Sequence, residues 1–253
     1  MTYISRQEVD EFRRRLLHHT DADAAMDEAG FGHPDGQVKF NVRPVSEEWR
    51  FAGRKPAYKT ARANVQYIWR DSDGADRFGP MPAWFAQRRY DLRTAGLMLP
   101  KSAPVWASTD YELWNRIDAA TSATGDPTAV SAWHIVAQLP PSVDERWWEW
   151  MVRSYIQREL ITRGAPVAYG IHALAALDSE WVIPPHVHIV VAARRFRTGH
   201  RHGALMPGWA GSWHQHWRLQ QAWRRHCGLS RVSDARGSRS DRRVPWAAPR
   251  TGM

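Results

Sequence analysis

Two apolar segments joined by a short loop constrain the fold of this chain most strongly. The first segment, residues 166–174, reads PVAYGIHAL, and the second is a strand predicted over 184–193 within IPPHVHIVVAA. Both are rich in β-branched and other apolar residues, a composition that favours buried strands. The loop between them is short enough for antiparallel pairing. We therefore predict a central antiparallel hairpin as the core of the fold.

Helical and extended patterns alternate along the rest of the chain. We predict an α+β fold, an antiparallel central β-sheet with helices packed against one of its faces. The further strands are expected over 37–45 and 129–140, and the helices from about residue 6, over 57–71, around Trp84 to Arg93, after Thr109, from Ser142 to Gly164, and over 213–228.

Two of these helices have recognisable start and stop signals. Thr109 with Glu112, and Ser142 with Glu145, have the spacing of a capping box, in which each side chain of the pair bonds to the other's backbone N–H. Gly164 follows the longer helix where a C′ glycine ends a helix. The segment from residue 73 to 104 is rich in Gly and Pro, so we expect it to be mostly irregular.

Histidines at alternate positions mark the second strand of the hairpin. Residues i and i+2 of a strand point to the same face, so His186 and His188 project side by side. Two buried neutral imidazoles need partners for their ring nitrogens, and a shared divalent cation supplies one. In an antiparallel pair, His172 lies across from them on the same face. The three imidazoles would form a three-coordinate site with open positions, as in catalytic metal centres.

A fourth histidine, His134, lies on the predicted strand SAWHIVAQ. Two interpretations remain for it. It either supports a ligand histidine from the second layer of the site or simply packs within the sheet, and the second interpretation is the more common fate of a single strand histidine.

Positive charge is concentrated at one end of the chain. The net charge is +9, yet residues 192–253 contain thirteen arginines, two aspartates and neither Lys nor Glu, which makes that segment +11 and the preceding one −2. Guanidinium groups bind phosphate oxygens in bidentate fashion, so nucleic acid is the expected partner. A solubilising tail, or a composition bias without function, is the alternative.

Composition excludes several other classes of protein. Cys227 is the only cysteine, which leaves no disulfide framework and no CxxC zinc site and suits a reducing cytoplasm. No apolar stretch has the length of a membrane span, and MTYISRQEVDEF does not resemble a signal peptide, so no membrane insertion is expected.

Four segments, in the correct order, carry a resemblance to a known family. PHVHIVV resembles the histidine motif of the HUH endonucleases, in particular the MobA/MobL-type plasmid relaxases. The similarity extends over about residues 38–196. The other three segments are ARANVQYIWRDSDG, LPKSAPVWASTDYELWNRIDAA and VAQLPPSVDERWWEWMVRSYIQRELITRGAPVAYGIH.

The resemblance implies a conjugative relaxase with the palm-like fold of the HUH endonucleases. Such an enzyme nicks single-stranded DNA at an origin of transfer, joins a tyrosine to the 5′ phosphate and later reseals the strand. Matched residue by residue, Tyr67 falls at the nucleophile, and His172, His186 and His188 fall at the metal ligands. The divalent ion would be Mn²⁺ or Mg²⁺. Accessory mobilisation proteins and a coupling protein are the further partners that the family implies.

On this interpretation the chain has four parts: an N-terminal helical extension (1–36), the relaxase core (37–196), a Trp-rich basic helical region (197–229) and a basic disordered tail (230–253). Two other functions remain open. One is an HUH replication initiator with the same chemistry, and the other is a non-catalytic DNA-binding protein on the same fold.

Several further residues have two interpretations each. Without the family, Tyr67 has no priority over other tyrosines of the chain, such as Tyr58, Tyr90 and Tyr155. Asp118 either orients a ligand histidine or lies on a helix surface. Two arginines near the predicted nucleophile, Arg62 and Arg70, either bind phosphate or are solvated. Three tryptophans either stack on unpaired bases or belong to the core: Trp69, Trp84 and Trp106.

Overall fold

A computed structural model describes the fold over residues 3–4, 40–48, 58–81, 83–140, 143–177, 180–196, 203–206 and 210–228. The helix expected from about residue 6 and the tail 230–253 lie outside these residues. Five helices are described: α1 (Ala61–Trp69), α2 (Trp84–Gln87), α3 (Glu112–Ser122), α4 (Trp148–Glu159) and α5 (Trp213–His226). Short 3₁₀ turns cover Arg89–Asp91, Val105–Ser108, Glu145–Trp147 and Ile161–Arg163.

The strands of the described residues form one large sheet and two small hairpins. They are β1 (Tyr3–Ile4), β2 (Phe40–Val45), β3 (Ala75–Asp76), β4 (Gly79–Pro80), β5 (Leu92–Met98), β6 (Ala132–Gln138), β7 (Val167–Ala176), β8 (Trp181–Ala192), β9 (Arg194–Arg195) and β10 (Ala204–Leu205). The large sheet runs β5–β7–β8–β6–β2 with every pair antiparallel, and β1 pairs in parallel with the end of β7. The α+β class and the antiparallel sheet are confirmed.

Helices cover both faces of this sheet, not one as predicted. On one face, α4 and α5 pack against Ile135, Ile171 and Ile189. On the other face, α1 and α3 pack against Ala168 and Val190. The reason is that β7 and β8 are buried on both sides, so each side needs a covering layer. None of the described helices is long and apolar enough to cross a membrane.

Of the two predicted capping boxes, one needs correction and the other lies partly outside the described residues. Thr109 does not cap α3: Tyr111 is the N-cap residue and makes no side-chain cap bond, while Thr109 accepts the Glu112 N–H through its backbone carbonyl. At the other predicted capping box, Ser142 lies outside the described residues. There, Asp144 accepts the Arg146 N–H at the start of the 3₁₀ turn that leads into α4.

The Gly- and Pro-rich segment is more ordered than expected. It contains the β3–β4 hairpin, α2 and the whole of β5, which pairs with β7 along the sheet. Gly164 adopts φ 89° and ends the 3₁₀ turn Ile161–Arg163, whereas α4 itself ends earlier, at Glu159, so Gly164 is not the C′ residue of that helix.

Candidate active site

The three predicted ligand histidines meet on the face of the sheet that α1 covers. In the β7–β8 register, His172 lies opposite His186, and His188 lies opposite Gly170. All three are at most 1% exposed. Their ring centroids are 4.9 Å apart for His186 and His188, 5.1 Å for His172 and His188, and 5.6 Å for His172 and His186.

Two imidazole nitrogens face each other at the centre of this group. The Nε2 atoms of His186 and His188 are 3.2 Å apart. On the far side of the His186 ring, Nδ1 lies 2.9 Å from the carbonyl oxygen of Pro184. A carbonyl only accepts, so His186 carries a proton on Nδ1, and the neutral form of the ring then has its lone pair on Nε2. Nε2 is the atom that faces His188.

His172 has a hydrogen-bond acceptor at each ring nitrogen. Its Nδ1 lies 3.0 Å from Asp91 Oδ1, and its Nε2 lies 3.0 Å from the carbonyl oxygen of Ile68. Burial, helped by the nearby Arg70 charge, lowers the pKa of His172 to about 3, so the ring is neutral at pH 7. Its single proton bonds best to the carboxylate, because a charged acceptor is the stronger one. Nε2 then holds a lone pair beside another oxygen.

Asp91 anchors this histidine through a buried ion pair that ends α1. Arg70 Nε and Nη2 donate to Oδ1 and Oδ2 of Asp91 at 2.9 and 2.8 Å, and neither side chain is exposed. Burial alone would raise the pKa of Asp91, but Arg70 and His172 outweigh it and hold the pKa well below its usual value. The two interpretations of Arg70, phosphate binding or solvation, are therefore wrong in this structure: its guanidinium is committed to Asp91.

Tyr67 lies against the histidines from α1. Its ring centroid is 5.4 Å from that of His188, edge to face at 84°. Tyr58 and Phe85 contact the same ring at 5.2 and 5.3 Å, and Tyr67 is only 3% exposed. In contrast, Tyr155 belongs to the core of the opposite face, where its hydroxyl donates to the Leu219 carbonyl.

Asp118 positions α1 rather than a histidine. Its two carboxylate oxygens accept the backbone N–H groups of Ala61 and Arg62 at 2.8 and 3.0 Å, and Thr60 accepts the N–H of Ala63. Both expectations for Asp118 are thus replaced by a third role, because the first turn of a helix has unpaired N–H donors. Burial raises the pKa of Asp118 to about 6.

A glycine allows α1 to approach the sheet next to His172. A Cβ atom added to Gly170 would lie 2.4 Å from the carbonyl oxygen of Ile68 and 3.0 Å from His172 Nε2. The end of α1 can therefore sit on β7 only because this position has no side chain. The same contact brings the last turn of α1, with Tyr67, over the histidines.

The comparisons with known proteins agree with this arrangement. The family model described as MobA/MobL family matches residues 83–225, which is more than half of the chain. The chain belongs to the MobA/MobL family. A solved structure described as "Molecular Basis of Vancomycin Resistance Transfer in Staphylococcus aureus" is similar in fold, with a TM-score of 0.55 and 16% identity over 75% of this chain and 90% of that one. No curated protein matches the chain.

The family match covers the histidine strands but begins after Tyr67. The assignment of Tyr67 therefore depends on the sequence resemblance and on its place beside His188. His134 lies next to one of the predicted ligands: its Nε2 lies 2.9 Å from His188 Nδ1, and its Nδ1 lies 2.9 Å from Asn64 Oδ1. Of its two interpretations, the contact with a predicted ligand histidine is the one that this geometry fits.

Arg62 and the predicted base-stacking tryptophans have protein partners within the described residues. Arg62 Nη1 donates to Asn115, and the indole N–H of Trp69 donates to the Tyr169 carbonyl at 3.1 Å. Trp106 packs against Phe196, with the Arg116 guanidinium 4.2 Å from the centre of its ring. The side chain of Trp84 lies outside the described part of the chain. Base stacking stays a prediction for all three tryptophans.

The donor set of the site suits a divalent cation, although no three His, Cys, Asp or Glu side chains of the described residues are arranged as a finished metal site. Nε2 of His186 and Nε2 of His188 already converge at 3.2 Å, whereas Nε2 of His172 points at the Ile68 carbonyl. Lone pairs that face other acceptors are unfavourable when buried, and a cation between them would remove the conflict. The residues present therefore fit such an ion, with His172 as the ligand that must reorient.

Proposed function

We propose that this MobA/MobL-family protein is a mobilisation relaxase that nicks and rejoins one DNA strand at an origin of transfer through Tyr67. The observation that supports this most directly is the contact of the Tyr67 ring with His188, inside the group of three buried histidines. A nucleophile and a cation-binding group within one buried site are the parts that phosphoryl transfer to a tyrosine requires.

In the proposed reaction, the Tyr67 phenol oxygen forms a bond to the scissile phosphorus. The bond from phosphorus to the 3′ oxygen of the preceding nucleotide breaks. Tyr67 loses its proton and the departing 3′ oxygen gains one, so the step is a transesterification that consumes no water. The phosphotyrosyl bond keeps the energy needed for rejoining, since the free 3′ hydroxyl can attack it in reverse.

His172, His186 and His188 would hold the divalent ion, Mn²⁺ or Mg²⁺. When bound, the ion supplies positive charge that polarises the scissile phosphate and stabilises the departing oxygen. The Arg70–Asp91 pair favours the His172 proton on Nδ1, so the lone pair of Nε2 would be the one offered to the ion once the ring turns away from the Ile68 carbonyl. A ligand histidine with its other nitrogen bonded to a carboxylate is the common arrangement at metal centres.

The buried position of the nucleophile has a consequence for the substrate. Tyr58 and Phe85 cover the Tyr67 ring, so a DNA strand reaches the phenol oxygen only when these two side chains move aside. A flexible single strand fits such an entrance better than a duplex does. The arginine-rich residues 192–253 would add affinity through phosphate contacts in the reducing cytoplasm, where a coupling protein and accessory mobilisation proteins are the expected partners.

The test is the formation of a covalent adduct. The protein is incubated with Mn²⁺ and single-stranded DNA from its own genetic neighbourhood, and adducts are separated on a denaturing gel. Tyr67→Phe keeps the ring and removes the attacking oxygen, so we expect it to fold and bind DNA but to form no covalent adduct. Tyr155→Phe, on the opposite face, is the matched control and should retain the adduct.

Peptide mapping of the adduct decides between the candidates. DNA attached to Tyr58 or Tyr90 would show that the assignment of Tyr67 is wrong. Cleavage that leaves free 5′ phosphates without any adduct would indicate a water-using nuclease instead of a relaxase. No cleavage of any DNA would favour the non-catalytic DNA-binding protein. A nick at a replication origin rather than at an origin of transfer would favour the replication initiator.

Metal binding is tested separately by calorimetry. His188→Ala removes one of the two converging nitrogens, and we expect it to abolish both Mn²⁺ binding and cleavage. Binding that survives in the double variant His186→Ala/His188→Ala would place the ion elsewhere.

A further inference from the structure

We infer that His134, oriented by Asn64, is a positioning residue that fixes the tautomer of His188 and so presents His188 Nε2 as a metal donor. The role of this tautomer in metal binding rests on the proposed function, but the tautomer itself can be measured without metal or DNA. Four side chains and two backbone carbonyls carry the argument.

The orientation of the Asn64 amide is settled by its surroundings. Asn64 is 4% exposed, and its Nδ2 donates to the carbonyl oxygens of Tyr58 and Thr60 at 3.0 and 2.8 Å. Both partners are acceptors, so the nitrogen must be the atom that faces them. The amide oxygen Oδ1 therefore faces His134, 2.9 Å from its Nδ1.

The proton positions follow in sequence from this fixed oxygen. Oδ1 of Asn64 only accepts, so His134 carries its proton on Nδ1, and its Nε2 has a lone pair. That lone pair lies 2.9 Å from His188 Nδ1 and accepts a proton from it. In the neutral His188 ring the proton is then on Nδ1, and Nε2 has the lone pair that faces His186 Nε2 at 3.2 Å.

This arrangement suits a metal site. Without a partner on Nδ1, the His188 proton could move to Nε2, and that nitrogen could then no longer bind a cation. The hydrogen bonds from Asn64 through His134 prevent that exchange. They keep the lone pair of His188 on Nε2, the atom that faces His186, as a metal ligand requires.

The same helix carries the nucleophile. Asn64 and Tyr67 are three residues apart on α1, so they lie on one side of the helix about one turn apart. Through His134, the backbone turn at Tyr58 and Thr60 is linked to the ligand that Tyr67 contacts. Placement of the nucleophile helix and orientation of His188 are thus parts of one hydrogen-bonded unit.

The first experiment reads the tautomer directly. Long-range ¹H–¹⁵N correlation spectra of the metal-free full chain, labelled with ¹⁵N-histidine, distinguish a protonated from a bare ring nitrogen. In the wild-type protein we expect His188 protonated on Nδ1 and bare on Nε2. The His188→Ala variant assigns the signal. Wild-type His188 with its proton on Nε2 would overturn the inference without any substitution at His134.

The second experiment compares two replacements of His134. His134→Gln keeps an acceptor for His188 Nδ1 and a donor for Asn64 Oδ1, because its amide oxygen and nitrogen can replace the two ring nitrogens. His134→Phe keeps a ring of similar size and has neither. Loss of a supporting hydrogen bond typically lowers metal affinity by about 10–100-fold. We expect this loss of Mn²⁺ affinity in His134→Phe and less than about a threefold change in His134→Gln.

His214→Ala, at an exposed position of α5, controls for the removal of a histidine and should bind Mn²⁺ as the wild type does. Equal Mn²⁺ affinity in His134→Phe and wild type would overturn the inference. If His134→Phe does not fold, the wild-type tautomer and the affinity of His134→Gln still decide the matter. A wild type with the expected tautomer and no affinity for Mn²⁺ would support the tautomer assignment and overturn the proposed metal site, so the two failures are distinguishable.

Discussion

The two faces of the β7–β8 hairpin bury different kinds of side chain, although these side chains come from neighbouring residues of the same two strands. Ile171, Val187 and Ile189 point to the face covered by α4 and α5 and belong to the hydrophobic core on that side. His172, His186 and His188 alternate with residues of this kind and point to the face covered by α1, where they meet charged and titratable partners. A strand reverses its side-chain direction at every residue, so one stretch of chain serves both faces.

The comparison shows how a fold can tolerate a site whose burial is unfavourable in free energy. Burying apolar area stabilises the fold, whereas burying a carboxylate, a guanidinium and several imidazoles costs free energy unless every group is paired. The burial of apolar side chains on the first face therefore offsets the unfavourable burial of polar and charged groups on the histidine face. Substitutions on the first face should change stability and leave the chemistry intact, and those on the second should change both.

The largest effect on stability is expected from breaking the buried ion pair. Asp91→Asn leaves the Arg70 guanidinium buried without its charge partner, which typically costs about 3–5 kcal/mol. Urea unfolding measures the loss. Asp144→Asn, at an ion pair with both side chains more than half exposed, is the control and should change stability by less than about 1 kcal/mol. Equal effects at the two positions would remove the distinction between the faces.

A cavity on the apolar face should destabilise the fold without affecting the site. Ile189 is fully buried in the core beneath α4 and α5, so Ile189→Ala should cost about 2–5 kcal/mol. Adduct formation per folded molecule, measured well below the midpoint of thermal unfolding, should match the wild type. A strong loss of activity in the folded variant would show that the two faces are not independent.

Adding one methyl group on the histidine face should be less costly for stability and more costly for activity. Gly170→Ala places a Cβ 2.4 Å from the Ile68 carbonyl, so the end of α1 must move away, at about 1–3 kcal/mol. Gly96→Ala is the control: there the added atom meets the tip of the Tyr169 side chain, 2.7 Å from its hydroxyl oxygen. Adduct assays should show a clear reduction for Gly170→Ala alone. Retention of full activity would mean that Tyr67 does not depend on this contact.

The smallest effect concerns the pH dependence of the cap on α1. Burial raises the pKa of Asp118 to about 6, above the value of about 4 for an unfolded chain. Between these two values the folded protein retains a proton that the unfolded chain has lost, so this contribution to stability is present below pH 4 and is lost as the pH rises through 6. Asp118→Asn cannot titrate. Its stability relative to wild type should therefore increase from pH 4 to pH 6 in urea unfolding, and a constant difference would contradict the assignment.

Local patterns predicted the histidine strands well. The predicted strands 166–174 and 184–193 correspond to Val167–Ala176 and Trp181–Ala192, and the expected opposition of His172 and His186 is observed. The long apolar run in β7 also contained a signal that was not used: a strand without alternating polar residues is typical of burial on both faces, which requires helices on both sides.

Contacts between distant segments could not be predicted in this way. Asp91 is 81 residues from His172, and Asn64 is 70 residues from His134. No periodicity links such positions, because the sheet register and the packing of α1 decide which side chains meet. The strand β5 was missed for a related reason: its sequence, LRTAGLM, is stabilised by pairing with β7 rather than by its own propensity.

For an engineer who wishes to retune this site, Arg70 is the position with the least freedom. It terminates α1 in a left-handed conformation, φ 54° and ψ 42°, and its side chain holds Asp91. Glycine would suit this backbone conformation but remove the positive charge beside Asp91. Lysine would keep a positive charge but lose the bidentate hydrogen bonding to the carboxylate. A library built around the proposed metal ligands should therefore keep residue 70 constant and vary Asn64 and His134.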